Sequence, residues 1–367
     1  KSYYEKIKND IHTYNDLSKY TLVISGSSRR RQMLDEELQK RYGHLHYFVN
    51  GRFKPRKEAT YDRKLVSKPN DMKCVEIKSF GFKSPQGPKV PFAQKQLNKL
   101  SFNINPEKFA IYWLGHSSTI IEINHFRIII DPVLDNASPF YFGVERYTKR
   151  VIEREELPDI DYIILTHNHY DHLERKTILS FKTGHFIVPL GLGCTLEYWG
   201  INADRITELG WGEKFIEDGI EIIGEESNHF SGRYLLDANK TLFNAYIISA
   251  GGINIFWSGD TGYSEHFKDI YNKYKINFDL IALECDAYNT GWRNSHLFPN
   301  EVILATKDLH AKNLFPIHWG VFDLAFHPWH ESIDTIISEA IMNDIKVFTP
   351  MLGEKFNIDT DTKTWWR

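Results

Sequence analysis

Thr166-His167-Asn168-His169-Tyr170-Asp171-His172 places three imidazoles and a carboxylate within six residues, straight after the apolar stretch Tyr162-Ile163-Ile164-Leu165. Such a density of metal-capable side chains beside a buried strand is costly unless a cation compensates it. His167 and His169 are two apart, so in extended backbone they leave the same face and can bind one metal together. Asp171 and His172 follow where the chain is expected to turn into a helix, and point to a neighbouring second metal. A catalytic zinc takes three or four protein ligands and keeps a position open for water. Other segments must therefore contribute, and the chemistry suggested is metal-dependent hydrolysis.

Three candidates lie downstream. His229 stands in Glu226-Ser227-Asn228-His229-Phe230, Asp260 in Trp257-Ser258-Gly259-Asp260-Thr261-Gly262, and His318 between Leu314-Phe315-Pro316-Ile317 and Trp319-Gly320. Each is a polar group at the end of a β-rich run, where a sheet presents its site. Singly, each has a plainer explanation: a hydrogen-bonded histidine, or an aspartate capping a turn or helix. Together with the run at 167–172 they favour a ligand set.

The elements that must position these residues are short. Strands are expected at Phe109–Leu114, Thr119–Ile123, Arg127–Ile130, Asp161–Leu165, His185–Val188 and Ile220–Gly224, then at Ala245–Ser249, Asn254–Trp257, Asp279–Leu283, Asn313–Ile317 and Lys346–Phe348. Helices are expected at Asp35–Arg41, His172–Phe181, Ser264–Tyr274, Asn300–His310 and Glu331–Asn343. Many strands with interspersed helices argue for mixed sheets covered by helices. Residues 1–50 read as a helical or mixed preamble. From Gly51 to Leu100 the prolines 55, 69, 85, 88 and 91 suggest an irregular wrap. No internal repeat stands out.

With 42% hydrophobic and 25% charged residues, the composition is that of a soluble globular protein. Cys74, Cys194 and Cys285 form no CxxC pair, which argues against a disulfide framework or a thiolate zinc knuckle and fits a reducing compartment. Net charge is −3, but residues 1–100 hold 22 Lys and Arg against 10 Asp and Glu, with Arg29-Arg30-Arg31 the densest part. That flank reads either as solvated surface or as a face for phosphate-rich partners or anionic membrane. The aromatic spacing of a nucleic-acid module is missing, so no nucleic acid is expected. Localisation is read as cytoplasmic or peripheral to a membrane. The chain begins with Lys1 rather than Met, which leaves an upstream signal or anchor open, and the sequence does not set the oligomeric state.

The His-x-His-x-Asp-His run, with His229, Asp260 and His318 following in that order, resembles the metallo-β-lactamase-fold hydrolases. Trp113-Leu114-Gly115-His116-Ser117, Asp131-Pro132-Val133, Ser138-Pro139-Phe140, Arg146-Tyr147, Ser258–Tyr263 and His318–Phe322 are similar to the N-acyl-phosphatidylethanolamine-hydrolysing phospholipase D family. The resemblance spans about Asn50 to Phe348. It implies a four-layer αββα sandwich for residues 101–367, with residues 1–100 a basic extension packed on it. It implies two Zn2+, with Mn2+ or Fe2+ also accepted: His167, His169 and His229 on the first, Asp171, His172 and His318 on the second, Asp260 bridging. Asp171 would also orient the nucleophile. His296 resembles a family histidine near the substrate phosphate, where it would stabilise charge or protonate the leaving oxygen; the alternative is a structural role at the helix after Pro299. His116 is read as support for the Gly115 turn rather than as a donor to a ligand. The loop Asp286–Arg293, with Tyr288 and Trp292 as substrate contacts, and the segment after Gly320 depart from the family pattern. The implied reaction is phosphodiester hydrolysis in a glycerophospholipid. Lactone or ester hydrolysis, or lipid binding without catalysis, are the alternatives.

Overall fold

The structure is a computed structural model that describes residues 38–55, 87–89, 91–102, 109–137, 144–233, 237–325 and 327–367. Arg29–Arg31, the start of the expected helix Asp35–Arg41, Cys74, Pro69, Pro85 and Ser138-Pro139-Phe140 lie outside the described residues.

Isoleucine-rich and aromatic runs form the strands because branched and ring side chains pack well on a pleated surface. A short hairpin, β1 (Phe48–Val49) and β2 (Arg52–Phe53), precedes the core. The first large sheet holds β3 (Phe109–Gly115), β4 (Ser118–Ile123), β5 (Phe126–Ile130), β6 (Tyr162–Ile164), β7 (His185–Pro189) and β8 (Ile206–Leu209). The second holds β9 (Lys214–Glu217), β10 (Ile220–Glu226), β11 (Asn244–Ala250), β12 (Ile253–Trp257), β13 (Leu280–Glu284), β14 (Asn313–Ile317) and β15 (Lys346–Val347). β16 (Lys355–Phe356) returns to the first sheet, so the two orders are β16-β3-β4-β5-β6-β7-β8 and β15-β14-β13-β12-β11-β10-β9.

Each sheet has three antiparallel pairings followed by three parallel ones. The halves therefore repeat in topology although no repeat is visible in their residues. Tight reversals close the antiparallel parts. Asn124-His125, Asp218-Gly219 and Gly251-Gly252 each place both residues at positive φ, as the two-residue hairpin with the right twist requires. The parallel parts need crossovers, and these carry α1 (Arg175–Ser180), α2 (Gly193–Trp199), α3 (His266–Tyr274), α4 (Pro299–Asp308) and α5 (Glu331–Met342).

The sheets face each other across one core. Trp113 of β3 packs edge-on against Phe315 of β14, and the Tyr246 hydroxyl of β11 donates to the Leu165 carbonyl beyond β6. Glu122 and Arg127 are buried as a pair, with two guanidinium nitrogens on one carboxylate oxygen at 2.7 and 3.0 Å and the Tyr112 hydroxyl on the other. Leu38, Tyr42, Tyr47, Phe48 and Phe53 form a satellite cluster on Leu190 and Leu242. Lys95 and Leu97 donate backbone bonds to Leu352 and Val151, so Pro91–Asn98 runs along the core without regular pairing. Among the described residues no helix is long and apolar enough to cross a membrane.

Several elements differ from expectation. The helix expected from His172 starts only at Arg175, because His169 O accepts the His172 and Leu173 amides and closes a turn that holds His172 inward. β1, β2, β8, β9, β16 and α2 were not expected; β9 is a mostly exposed edge, and α2 is seven residues opening on a glycine.

Candidate metal centre

The candidate ligands come from strand ends of both sheets. Asp131 follows β5, the loop after β6 carries His167 to His172, and His229, Asp260 and His318 follow β10, β12 and β14. Asp131 and Asp260 thus occupy matching places in the two halves, after the strand where pairing switches from antiparallel to parallel. Three polar residues here have left-handed backbones: His116 (φ 54°), Asp131 (φ 44°) and His318 (φ 71°). The β3–β4 turn is tied to β14 through the His116 carbonyl, which accepts from Trp113 Nε1 at 2.8 Å and from the His318 amide at 3.2 Å.

Asp131 is fully buried and organises the loop. Its carboxylate accepts from the Thr166 amide at 2.8 Å, from Thr166 Oγ1 at 2.7 Å and from His172 Nδ1 at 2.7 Å. With Nδ1 donating there, His172 turns Nε2 inward, 3.2 Å from Asp260 Oδ1 and 3.4 Å from Asp171 Oδ2. His229 is fixed the same way, Nδ1 donating to Ser295 O at 2.8 Å. Its Nε2 then faces His169 Nδ1 at 3.2 Å, and His167 Nε2 faces the same atom at 2.9 Å. Asp260 Oδ2 lies 3.0 Å from His318 Nε2 and 3.7 Å from both His167 Nε2 and His229 Nε2.

Two four-residue groups result, each offering atoms within 4.8 Å of one another: His167, His169, His229 and Asp260, and His116, Asp171, His172 and His318. His116 is the surprise. Its Nε2 lies 3.0 Å from Asp171 Oδ2, so it belongs to the cluster rather than only supporting the Gly115 turn. A third group, Asp260, His296 and His318, overlaps both.

The electrostatics fit a cation. Burial, reinforced by neighbouring imidazoles, drives His167 far down; burial brings His169 and His229 to about 3 and His116 to about 3 as well. These rings are neutral and keep lone pairs for coordination. Burial also opposes charge on His318, but Asp260 and Asp171 outweigh it and raise the group to about 10; His172 is raised likewise. Burial alone would raise Asp171 and Asp260, yet His172 and its neighbours hold both far below the usual carboxylate range. The two carboxylates call for positive charge. His172 Nε2, His318 Nε2 and Asp260 Oδ1 are buried without a hydrogen-bond partner although they lie close together. A nitrogen-rich set with two carboxylates fits a divalent transition metal better than magnesium or calcium.

A second layer fixes the loop. Arg233 Nη1 donates to the carbonyls of Asn168 (2.8 Å), His169 (3.3 Å) and Leu173 (2.8 Å), with the guanidinium over the Tyr170 ring at 3.9 Å. In return Asn168 Oδ1 accepts the Gly232 amide at 2.7 Å and the Tyr170 hydroxyl donates to Arg233 O at 3.1 Å. The residues between the ligands therefore shape the turn, as expected. Arg233→Met is expected to weaken metal binding by about 10- to 100-fold, the usual cost of losing such support. Competition with a chromophoric chelator measures this, and an unchanged affinity would show the clasp to be idle.

His296 is buried, brought to about 4 by burial, with its ring 5.1 Å from His229 and 5.4 Å from His318. Trp292 is 43% exposed with its ring 6.1 Å from His296, and Phe230, equally exposed, packs on His169. Tyr288 is placed differently: its hydroxyl donates to Glu331 at 2.9 Å and its ring stacks on His327 at 3.9 Å. Asp131 and Arg233 were not identified from sequence as parts of the centre. Asp131 carried one signal, a polar residue at a strand end.

The family described as "Beta-lactamase superfamily domain" matches residues 126–319, more than half of the chain. An uncharacterized protein of Mycobacterium tuberculosis is 34% identical over 270 residues, 71% of this chain and 72% of that protein. The N-acyl-phosphatidylethanolamine-hydrolyzing phospholipase D 1 of Caenorhabditis elegans is 32% identical over 228 residues, 58% of this chain and 64% of that protein. Among solved structures, an isothiocyanate hydrolase from Delia radicum gut bacteria superposes with a TM-score of 0.56 at 16% identity, covering 67% of this chain and 98% of that one.

Proposed function

Since the chain belongs to the β-lactamase superfamily and is a metal-dependent hydrolase of that fold, we propose that it uses a dinuclear zinc centre to cleave a phosphodiester bond, phospholipase D-fashion, in an N-acyl-phosphatidylethanolamine-like glycerophospholipid. The observation that carries this is Asp260, whose two oxygens reach toward both ligand groups at once. His167, His169 and His229 would hold one zinc, Asp171, His172 and His318 the other, and Asp260 would bridge; Mn2+ or Fe2+ suits the same donors. Such a metal pair supplies Lewis acidity toward phosphoryl oxygens and a nucleophile at neutral pH.

The protein's own groups do the rest. Asp131 and Ser295 O fix the tautomers of His172 and His229, so the ligand nitrogens need no reorganisation. Asp171, with His116 and His318 on Oδ2, is placed to orient the attacking water. His296 exchanges a proton with the reacting group. Phe230 and Trp292, exposed aromatics beside the centre, suit the acyl chains of a lipid presented at a membrane surface. The phospholipid substrate is supported by the phospholipase D relative, of which the chain spans 64%.

Turnover of an N-acyl-phosphatidylethanolamine vesicle against a lactone reporter tests the reading. Zinc-loaded protein is expected to release phosphatidic acid from the vesicle and to leave the lactone largely intact. Lactone cleavage without phosphodiester turnover would sink it.

A further inference from the structure

Glu284 is the last residue of β13 and is fully buried. Its amide donates to Ser258 Oγ at 3.0 Å, which ties the strand end to the turn leading to Asp260. Its Oε1 accepts three N–H groups, from Leu297 at 3.0 Å, Thr261 at 3.2 Å and His296 Nδ1 at 3.2 Å. Its Oε2 has no hydrogen-bond partner.

A carboxyl group is an expensive way to end a buried Leu-Ile-Ala-Leu strand, and Asp260 nearby adds repulsion to the cost of burial. An apolar residue would avoid that cost, but it would leave the Leu297 and Thr261 amides and the His296 ring nitrogen without this acceptor. Of these three contacts, the one that bears on the chemistry is the one to His296. An oxygen that accepts two backbone N–H groups is itself an acceptor and has no hydrogen to give to the third contact. The ring nitrogen facing it must therefore be the donor, and in a neutral imidazole the opposite nitrogen then carries the lone pair. His296, Asp260 and His318 each bring a ligand atom within 4.8 Å of the others, so the ring sits against the metal centre.

We infer that Glu284 is a positioning residue for the reaction: it holds the ring of His296 and fixes its tautomer, so that Nε2 meets the reacting group as a proton acceptor. This rests on the hydrolase reading above and deepens it. Of the roles considered for His296 from sequence, charge stabilisation does not suit a neutral ring that presents a lone pair, and the proton it gives to the leaving oxygen must first be taken up. In the reaction the oxygen of water bonds to phosphorus and the P–O bond to the leaving alcohol breaks. The proton that water loses is taken up at Nε2 and passed to the departing alkoxide, so the imidazole ends each turnover neutral.

The test is a double-mutant cycle on the zinc-loaded full chain, Glu284→Met with His296→Gln, read as kcat and KM on a phosphodiester reporter and as zinc per chain. His296→Gln is expected to lower kcat by about 100-fold or more, the usual worth of a positioned base. Glu284→Met is expected to lower kcat by roughly tenfold or more with KM and zinc content retained, and to add almost nothing in the His296→Gln background. Glu284→Gln, whose amide oxygen still accepts Nδ1–H, is expected to recover most of the loss. Histidine 15N NMR of the zinc protein, with His296 assigned by its absence in His296→Gln, should show Nδ1 protonated and Nε2 bare. An equal loss from Glu284→Met in both backgrounds, loss of zinc in step with activity, or a His296 protonated at Nε2 would each overturn the proposal. Should the wild type cleave only a lactone reporter, the phosphodiester reading fails, while the same cycle on the lactone and the NMR still decide Glu284.

Discussion

Asp260→Asn is expected to lower kcat/KM by at least about 100-fold, whereas His310→Ala leaves it near the wild-type value. Asp260 offers Oδ1 to His172 and Oδ2 to His318, with His167 and His229 slightly farther from Oδ2. Asparagine keeps the shape but has one acceptor oxygen and no charge. Its NH2 would point at rings that need a lone pair or an anion opposite them. A metal pair stabilises the transition state by several kcal/mol, and each 1.36 kcal/mol lost is about tenfold in rate. His310, just past α4, stacks on Tyr271 and belongs to none of the ligand groups, which makes it a fair control for handling and general stability. Zinc per chain measured beside kcat/KM separates a lost ligand from a misplaced one. Retained activity in Asp260→Asn would mean that the ligand assignment is wrong.

Stripping metal with a chelator is expected to abolish turnover and to lower Tm by several degrees, both restored by two equivalents of zinc per chain. The second effect follows from where the ligands come from. His167, His169, Asp171 and His172 belong to the sheet of β6, while His229, Asp260 and His318 belong to the sheet of β10, β12 and β14. A cation shared among them would join the two sheets and bind only when they are assembled. Metal at about 1,000 times its dissociation constant stabilises the folded state by roughly 4 kcal/mol. Full recovery at one equivalent would contradict the dinuclear reading, and an unchanged Tm would mean that the sheets do not depend on the metal.

The strand ends were legible because each apolar run stops at a polar residue with metal-binding capacity: Leu165 before Thr166-His167, Trp257 before Ser258-Gly259-Asp260, Ile317 before His318. The supporting layer was not. His172 reaches Asp131, His229 reaches Ser295 O and Arg233 reaches Asn168 O across 41, 66 and 65 residues, and no local pattern encodes such pairs. Glu284 reads in sequence as the charged end of a strand, and its burial against His296 appears only once β13 lies between β12 and β14. The duplicated strand order stayed hidden for a related reason. The halves share pairing rules, which many apolar residues satisfy equally well.

The left-handed backbones at His116, Asp131 and His318 have a further consequence. A side chain with a Cβ in that region carries roughly 1 kcal/mol or more of strain that glycine would not. These three residues are therefore held by what their side chains contact, since the backbone by itself disfavours them. Glycine at any of the three would relax the chain and remove a donor or acceptor the centre uses. Relief of about 1 kcal/mol is smaller than the roughly 4 kcal/mol that a bound metal supplies, so a variant that loses the metal gains no durability from the easier backbone.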